Sequence, residues 1–233
     1  MTRFSIVVLA SLTIGVARHL QAQVAKGPSP MVCIDPGHPS EVSAGDVVQN
    51  GQTEVRVAWL VAHELDVILA KRGIRTCMTK KAEHQLVRNR ERAEAANQAH
   101  AALMVRLHCD AGDGRGFAVY YPDRAATKDG HTGPSNAVIA RSRAAAVVID
   151  SAMRAGLWDV LENGGVRGDS KTLVGSKQGA LTGSIFSEVP IVTIEMVVLS
   201  NVGDAKVSAT AEGRHRIARA IADGVVKFVA PTP

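Results

Sequence analysis

Short apolar runs of strand-like length alternate in this chain with longer runs whose apolar residues recur at helical spacing. The spacing predicts strands over residues 31–35, 74–79, 102–108, 116–121 and 190–198. It predicts helices over residues 54–72, 86–100, 136–156 and 204–230, with a mobile glycine-rich loop over 163–184. Such alternation is typical of an α/β domain in which helices cover both faces of a mostly parallel sheet. A chain of 233 residues, 46% of them hydrophobic, suits one such domain with a substantial core.

The first helical run carries its own boundary signals. Thr53 suits the N-cap, and Gly73 suits the position just beyond the end, where glycine tolerates a left-handed backbone. Glu54 then lies in the first turn, where the helix dipole favours a carboxylate. A helix-start acid is therefore one interpretation of Glu54.

The N-terminal residues resemble an export signal. Arg3 precedes an apolar run over residues 4–17, and Ala22 ends a plausible cleavage site. We expect residues 1–22 to be a signal peptide, residues 23–30 a linker and residues 31–230 the folded domain. The apolar run is too short for a stable membrane anchor, although an uncleaved anchor is the alternative. The expected location is the periplasm, the extracellular space or the cell wall.

Charge and aromatic content narrow the range of partners. The formal net charge of +5 suits an anionic polymer, or serves solubility alone. Aromatic residues make up only 3% of the chain, so a nucleic-acid surface built on stacked rings is not expected.

The cysteines do not indicate a disulfide framework. Cys33, Cys77 and Cys109 are odd in number and lack C-x-x-C spacing. Each lies in an apolar, strand-like run, so we expect three buried thiols.

Two histidines follow predicted strands. His38 comes directly after Asp-Pro-Gly at the end of the first strand, and His108 ends the third. In open α/β sheets, ligands bind at the carboxyl edge of the strands. Two imidazoles with a carboxylate such as Glu54 form the three-ligand set of a catalytic zinc with an open position. An ordinary turn histidine is the alternative for His38.

Glu195 lies inside an otherwise apolar strand. A buried carboxylate is costly unless it is paired, bound to a metal or catalytic. An ion pair with a buried arginine such as Arg106 is the structural alternative.

Seven short segments stand in order along the chain: Ile34-Asp-Pro-Gly-His38, Thr53-Glu54, Arg92-Ala-Glu-Ala-Ala-Asn97, Leu107-His108-Cys-Asp-Ala111, Gly116-Phe117, Ile194-Glu195 and Leu199-Ser-Asn201. Together they resemble the zinc-dependent N-acetylmuramoyl-L-alanine amidases of the Amidase_3 family. The resemblance covers roughly residues 31–228.

The resemblance implies a single domain with a twisted, mostly parallel sheet of about six strands flanked by helices. It implies one zinc ion held by His38, Glu54 and His108, with Glu195 as the catalytic acid and base. The substrate would be peptidoglycan, cut between N-acetylmuramic acid and L-alanine. We also expect Arg106 and Asn201 to bind substrate. The protein would be a monomer without a stable membrane anchor or a nucleic-acid partner, and a protein activator would fit.

The chain departs from the family pattern at four places. Pro39-Ser40 replaces the usual Gly-Gly, Lys80-Lys81 replaces an arginine, and Asp110 replaces an asparagine. Arg106 stands where a small residue is usual, so it could narrow the cleft or bind a carboxylate of the stem peptide. Residues 157–188 show little helical period, which argues against the full inhibitory plug of some members.

Two other functions remain open. One is a zinc peptidase or carboxypeptidase that acts on another peptide. The other is a non-catalytic wall-binding module, against which the intact set of His38, Glu54, His108 and Glu195 argues.

Overall fold

The computed structural model describes residues 29–230. The predicted signal peptide and residues 23–28 of the predicted linker lie outside this part of the chain. Among the described residues, no helix combines the length and apolar character needed to cross a membrane. The strands are β1 (Met31–Pro36), β2 (Arg75–Met78), β3 (Leu103–Asp110), β4 (Phe117–Tyr121), β5 (Ala126–Lys128), β6 (His131–Gly133), β7 (Asn163–Gly168) and β8 (Ile191–Val198). The helices are α1 (Glu54–Lys71), α2 (Asn89–Gln98), α3 (Asn136–Leu157), α4 (Gly175–Gln178), α5 (Thr182–Ile185), α6 (Val202–Ala209) and α7 (Ala211–Val229).

Six strands form the main sheet in the order β2-β1-β3-β8-β4-β7. Strands β2, β1, β3 and β8 are parallel, whereas β4 runs antiparallel to β8 and parallel to β7. Strands β5 and β6 form a separate antiparallel hairpin. The predicted α/β domain with a mostly parallel, six-stranded sheet is confirmed.

The two faces of the sheet have different roles. Apolar residues of α1, α3 and α7 pack against one face, where they join Val105 of β3 and Ile194 of β8 in the main core. The opposite face begins with Met104 and Ile191, which lie in a smaller apolar cluster. Because side chains alternate along a strand, the next residues on that face are Arg106 and His108 of β3 and Thr193 and Glu195 of β8. The functional side chains therefore continue the smaller apolar face towards the carboxyl edge.

Most predicted elements are present with shifted ends. The Thr53 side chain accepts a hydrogen bond from the Arg56 amide at the start of α1, and Gly73 beyond its end has φ +76°. The predicted helix over 204–230 is two helices, because Thr210 ends α6 and caps α7.

The prediction of a loop over residues 163–184 is wrong in part. This region contains the edge strand β7, a 3-10 turn at Asp169–Lys171 and the short helices α4 and α5. Strand β7 has the sequence NGGVRG, which lacks the β-branched and aromatic residues that mark most strands. Its pairing with β4 defines it instead.

The expectation of three free thiols is also wrong. Cys33 of β1 and Cys77 of β2 form a disulfide, with their Cα atoms 4.5 Å apart. These cysteines are 44 residues apart in sequence, and the parallel register places them directly opposite each other. Cys109 is free and buried, as predicted.

Candidate metal centre and active-site cleft

His38 is held in place by the loop that follows β1. It has φ +51°, and its Nδ1 lies 3.0 Å from the carbonyl oxygen of Ser43. Because a carbonyl can only accept, Nδ1 donates its proton and Nε2 keeps a free lone pair in the neutral imidazole. This Nε2 lies 3.2 Å from Oε2 of Glu54. The loop passes so closely that a Cβ at Gly45 would sit 2.5 Å from the Cβ of His38.

Glu54 links the two histidines. Its Oε1 lies 2.9 Å from Nδ1 of His108 and accepts a hydrogen bond of 3.2 Å from the Cys109 amide. Gly37 leaves room for the His108 ring, because a Cβ there would lie 2.6 Å from Cε1. The predicted trio is thus brought together from a turn, a helix start and a strand. Glu54 occupies the first turn of α1 as well, so its two interpretations are compatible.

The donor set of this trio fits a zinc ion. One ligand atom each from His38, Glu54 and His108 can be chosen so that all three lie within 4.8 Å of one another. Burial lowers the pKa of His108, which favours the neutral imidazole that a metal requires. Burial alone would raise the pKa of Glu54, but hydrogen bonds to His108 and His38 hold it well below its usual range. Two imidazole nitrogens and one carboxylate oxygen leave a further coordination position open.

Glu195 lies beside this trio, opposite His108 in the register of β8 and β3. Its Oε2 is buried and has no hydrogen-bond partner among the described residues. Burial, reinforced by the charges of Glu54 and Asp110, raises the pKa of Glu195 well above its usual value. Arg106 binds Asp35 instead, so the alternative of an ion pair between Arg106 and Glu195 is not observed.

His38, His108 and Glu195 line one cleft of about 370 Å³. Residues of β3, β8 and β4 also line it. The rest of the lining comes from loops and short helices, namely Ser40, Val42, residues 171–174, Leu181 and Thr182.

The comparisons with known proteins decide the family. Residues 32–227 match the Amidase_3 family, which is described as N-acetylmuramoyl-L-alanine amidase. The chain belongs to this family. The predicted family is confirmed, and so is the predicted activity: the protein is an N-acetylmuramoyl-L-alanine amidase.

A curated relative and several solved structures agree with this assignment. N-acetylmuramoyl-L-alanine amidase Rv3717 of Mycobacterium tuberculosis is 27% identical over 195 residues, which are 81% of this chain and 73% of that protein. AmiC2 of Nostoc punctiforme aligns with TM-score 0.68 and 23% identity over 85% of this chain and 96% of its own. Ami1 of Mycobacterium smegmatis aligns with TM-score 0.67 and 24% identity over 86% of this chain and 96% of its own. At these identities the two structures support the fold alone.

The two predicted substrate-binding residues occupy different places in the amidase. Arg106 is buried in the cleft floor, where its Nε donates to Asp35 and its Nη2 to Asn89. Asn201 caps the start of α6, where its side chain accepts hydrogen bonds from the amides of Gly203 and Asp204. It does not line the cleft. The structure brings Arg106 close to the candidate metal ligands and gives Asn201 a capping role.

The sequence interpretation missed the polar group beneath the cleft. Asp35 is fully buried, and its two oxygens accept hydrogen bonds from Arg92 and Arg106. Arg92, in the predicted helix over residues 86–100, is also fully buried. The signal that could have found this group is Asp35 itself, an acid in an apolar strand, as for Glu195.

Lys80, another residue missed by the sequence interpretation, supports the loop that carries His38. It is buried, and its Nζ donates to the carbonyl oxygens of His38 and, at 2.8 Å, Glu83. A lysine therefore anchors this turn at the place where the family usually has an arginine.

Proposed function

We propose that this amidase is an exported, zinc-dependent enzyme that cleaves peptidoglycan between the lactyl group of N-acetylmuramic acid and L-alanine. The observation that carries the proposal is the convergence of His38, Glu54 and His108 within 4.8 Å at one end of a cleft. Half-buried Glu195 lies in register beside them, and its Oε2 has no hydrogen-bond partner among the described residues. This is the arrangement expected for metal-assisted amide hydrolysis with a separate proton carrier.

The residues of the chain divide the chemistry among them. Bound zinc would supply a Lewis acid that polarises the scissile carbonyl and lowers the pKa of the attacking water. His38, Glu54 and His108 would hold the ion. Glu195 accepts the proton of the water and passes it to the leaving nitrogen of L-alanine. Its raised pKa suits the second of these steps, because it favours the protonated acid that donates to the leaving nitrogen.

Metal analysis combined with a digest of purified sacculi tests this proposal. The purified protein should hold about one zinc ion, as in a three-ligand catalytic site. His108→Ala should lose most of the metal and the activity, whereas His63→Ala, which changes an exposed histidine of α1, should keep both. The digest should release stem peptides that begin with a free L-alanine. Full zinc occupancy in both His38→Ala and His108→Ala would show that the ion binds elsewhere, and cleavage within the stem would indicate a peptidase.

Export is supported by two independent features of the chain. The N-terminal sequence has the pattern of a signal peptide. The Cys33–Cys77 disulfide is typical of proteins that fold in an oxidising compartment. The protein recovered from cell fractions should therefore lie outside the cytoplasm and begin near Gln23. An intact Met1 on a soluble cytoplasmic protein would contradict export.

A further inference from the structure

The cleft floor contains a second row of side chains beside the row of His108 and Glu195. In the register of the sheet, Arg106 pairs with Asp35 on one side and Thr193 on the other, and Thr193 pairs with Tyr120. Arg106 and His108 lie two residues apart on β3, so they face the same side with Cα atoms roughly 7 Å apart. Arg106, Thr193 and Tyr120 all line the cleft, and we call them the second row.

Arg106 has one nitrogen available for a ligand. Its Nε donates to Oδ2 of Asp35 at 2.8 Å, and its Nη2 donates to Oδ1 of Asn89. Its Nη1 makes no hydrogen bond with any described residue. The backbone of α5 covers the guanidinium, because a Cβ at Gly183 would lie only 3.2 Å from Nη1. The side chain is 5% exposed and lines the cleft, so its guanidinium group is held in a fixed position there.

Arg106 shares its ion-pair partner with a second arginine. Asp35 is bound by two guanidinium groups, since its Oδ1 accepts from Nη1 of Arg92 at 2.6 Å while its Oδ2 accepts from Arg106. The remaining nitrogens of Arg92 donate to main-chain carbonyls. Asp169 is a second buried acid near Arg106, and it makes no ion pair with a described residue. Arg106 therefore has only a shared carboxylate as a direct charged partner among the described residues and keeps the capacity to bind a further acceptor.

Thr193 gives a second and independent indication of a ligand. It is 4% exposed, and its Oγ1 is buried without a hydrogen-bond partner among the described residues. A hydroxyl in this state is destabilising unless something binds it. Tyr120 adds a further donor, because its hydroxyl accepts from Nη1 of Arg167 at 3.4 Å and keeps its own proton. A cation and two hydroxyl groups in one row suit a carboxylate.

We propose that the second row binds a carboxylate on the stem-peptide residue that follows L-alanine. The spacing agrees, because one residue of extended chain separates the scissile carbon from that residue and spans about 3.5 Å. The carboxylate-bearing carbon then lies roughly 7 Å from the scissile carbon, similar to the spacing of Arg106 and His108 along β3. The inference rests on the proposed function and adds a substrate class, muropeptides with a free carboxylate at the second stem position.

Two muropeptides test the subsite without altering the protein. They share one sugar and one stem, and differ only in whether the α-carboxyl of the second stem residue is free or amidated. The zinc-loaded enzyme should cleave the free acid with a kcat/KM about 10–100-fold higher, which corresponds to one charge-assisted hydrogen bond. Equal kcat/KM for the two substrates would overturn the subsite and leave the amidase function intact. Cleavage of neither would contradict the proposed function instead.

Variants then assign the preference to the second row. Arg106→Gln removes the charge and can still donate a hydrogen bond to Asp35. The ratio of kcat/KM for the free acid to kcat/KM for the amidated substrate should therefore fall to about one, within a factor of about 2–3. Thr193→Val removes a hydroxyl that has no partner, so it should lower kcat/KM about fivefold without loss of thermal stability. Thr127→Val, on the hairpin outside the cleft, is the matched control. It should change neither the preference for the free acid nor kcat/KM. A full preference in folded Arg106→Gln, or unchanged kcat/KM in Thr193→Val, would remove these residues from the subsite. If Arg106→Gln does not fold, the substrate pair and Thr193→Val still decide.

Discussion

Fully buried Asp35 and half-buried Glu195, both on the cleft side of the sheet, have opposite surroundings. The Asp35 carboxylate accepts hydrogen bonds from Arg92, Arg106 and the Thr79 hydroxyl. Burial alone would raise its pKa, but the two guanidinium groups hold the pKa well below the usual range. Glu195 has no such partners for Oε2, and its pKa is raised by burial. Asp35 is therefore a permanent anion that organises the cleft, whereas Glu195 can exchange a proton.

Glu195→Gln separates proton transfer from metal binding. Glutamine keeps the size and hydrogen-bonding reach of glutamate but cannot accept the proton. We expect zinc content and thermal stability close to those of the parent enzyme and a fall in kcat of about 10²–10⁴-fold, the range of general acid–base catalysis. Zinc content and muropeptide turnover should be measured on the same preparation. Simultaneous loss of zinc would make Glu195 a ligand, and unchanged turnover with higher stability would make it only an unfavourable buried charge.

Gly37→Ala should weaken metal binding by displacing a ligand. Its Cβ would lie 2.6 Å from Cε1 of His108 and 2.8 Å from the carbonyl oxygen of Leu107, so the ring must shift. We expect zinc affinity to fall about 10–100-fold, as when the support of a metal ligand is removed. Competition with a chelator measures this affinity. Gly114→Ala is the control, because its nearest neighbour would be Cγ2 of Val198 at 3.7 Å. Equal zinc affinity in both variants would show that His108 adapts freely.

At the scale of elements, β1 connects the disulfide bond to the candidate metal centre. Cys33 joins β1 to β2, Asp35 binds the two arginines, and the chain then turns at Gly37 to place His38. Within six residues, β1 and the turn after it thus contain a cross-link, a buried ion-pair centre and the candidate metal ligand His38. This arrangement makes the position of β1 important for both stability and metal binding.

Reduction of the Cys33–Cys77 bond should destabilise the protein. The bond closes a loop of 44 residues, and loss of a native disulfide of this kind lowers the free energy of unfolding by about 2–4 kcal/mol. Urea unfolding with and without reductant measures the difference. A Cys33→Ala/Cys77→Ala double variant should be less stable and insensitive to reductant. If reductant leaves the unfolding free energy of the parent protein unchanged, the cross-link does not contribute to stability.

Asp169, in the 3-10 turn beside the cleft, should make the stability of the protein depend on pH. Burial raises its pKa from 3.8 to about 6, so the folded state binds this proton more tightly than the unfolded state. Its contribution to stability is therefore full below about pH 4 and is lost as the pH rises through about 6. Asp169→Asn removes the charge, and it should stabilise the protein by about 1–3 kcal/mol at pH 7.5 relative to the parent. Thermal unfolding at pH 4 and 7.5 measures the effect, and an equal gain at both values would contradict it.

At the scale of the whole molecule, the two faces of the sheet separate stability from catalysis. Helices α1, α3 and α7 bury the main apolar core on one face, and α2 and α5 cover the smaller apolar clusters beside the cleft. Helices α3 and α7 approach closely because small residues lie between them, and a Cβ at Gly224 would sit 2.6 Å from Cα of Ile149.

Gly224→Ala should therefore affect stability but not the chemistry. The added methyl meets the backbone of α3, which cannot move aside as a side chain can. We expect a loss of about 1–3 kcal/mol in the free energy of unfolding, typical of overpacking. The kcat/KM per folded molecule should be unchanged, because the cleft lies on the opposite face. Urea unfolding and muropeptide turnover measure the two quantities, and a stability gain would show that alanine's helix propensity outweighs the contact.

Local patterns in the sequence were sufficient for the long periodic elements and for the two candidate histidine ligands, but not for β5, β6, β7, α4 and α5. Apolar periodicity and capping residues such as Thr53 and Gly73 act over a few positions, so they could be interpreted without the fold. His38 and His108 were identified because the carboxyl ends of parallel strands share one edge. The inclusion of Glu54 rested on the family resemblance, since its position in the sequence also fitted a helix-start acid. The roles proposed for these residues in metal binding and catalysis stay predictions.

What only the tertiary structure decided depends on register and on distant neighbours. The Cys33–Cys77 bond requires that β1 and β2 pair without a one-residue shift, which neither strand specifies alone. Strand β7 exists through its pairing with β4, despite a sequence with weak strand preference. The sharing of Asp35 by Arg92 and Arg106 joins three segments that are far apart in the chain. Such contacts arise from long-range packing. The sequence by itself determined the long, strongly periodic elements, whereas the fold decided which of their side chains meet and whether a weakly patterned segment such as β7 forms a strand.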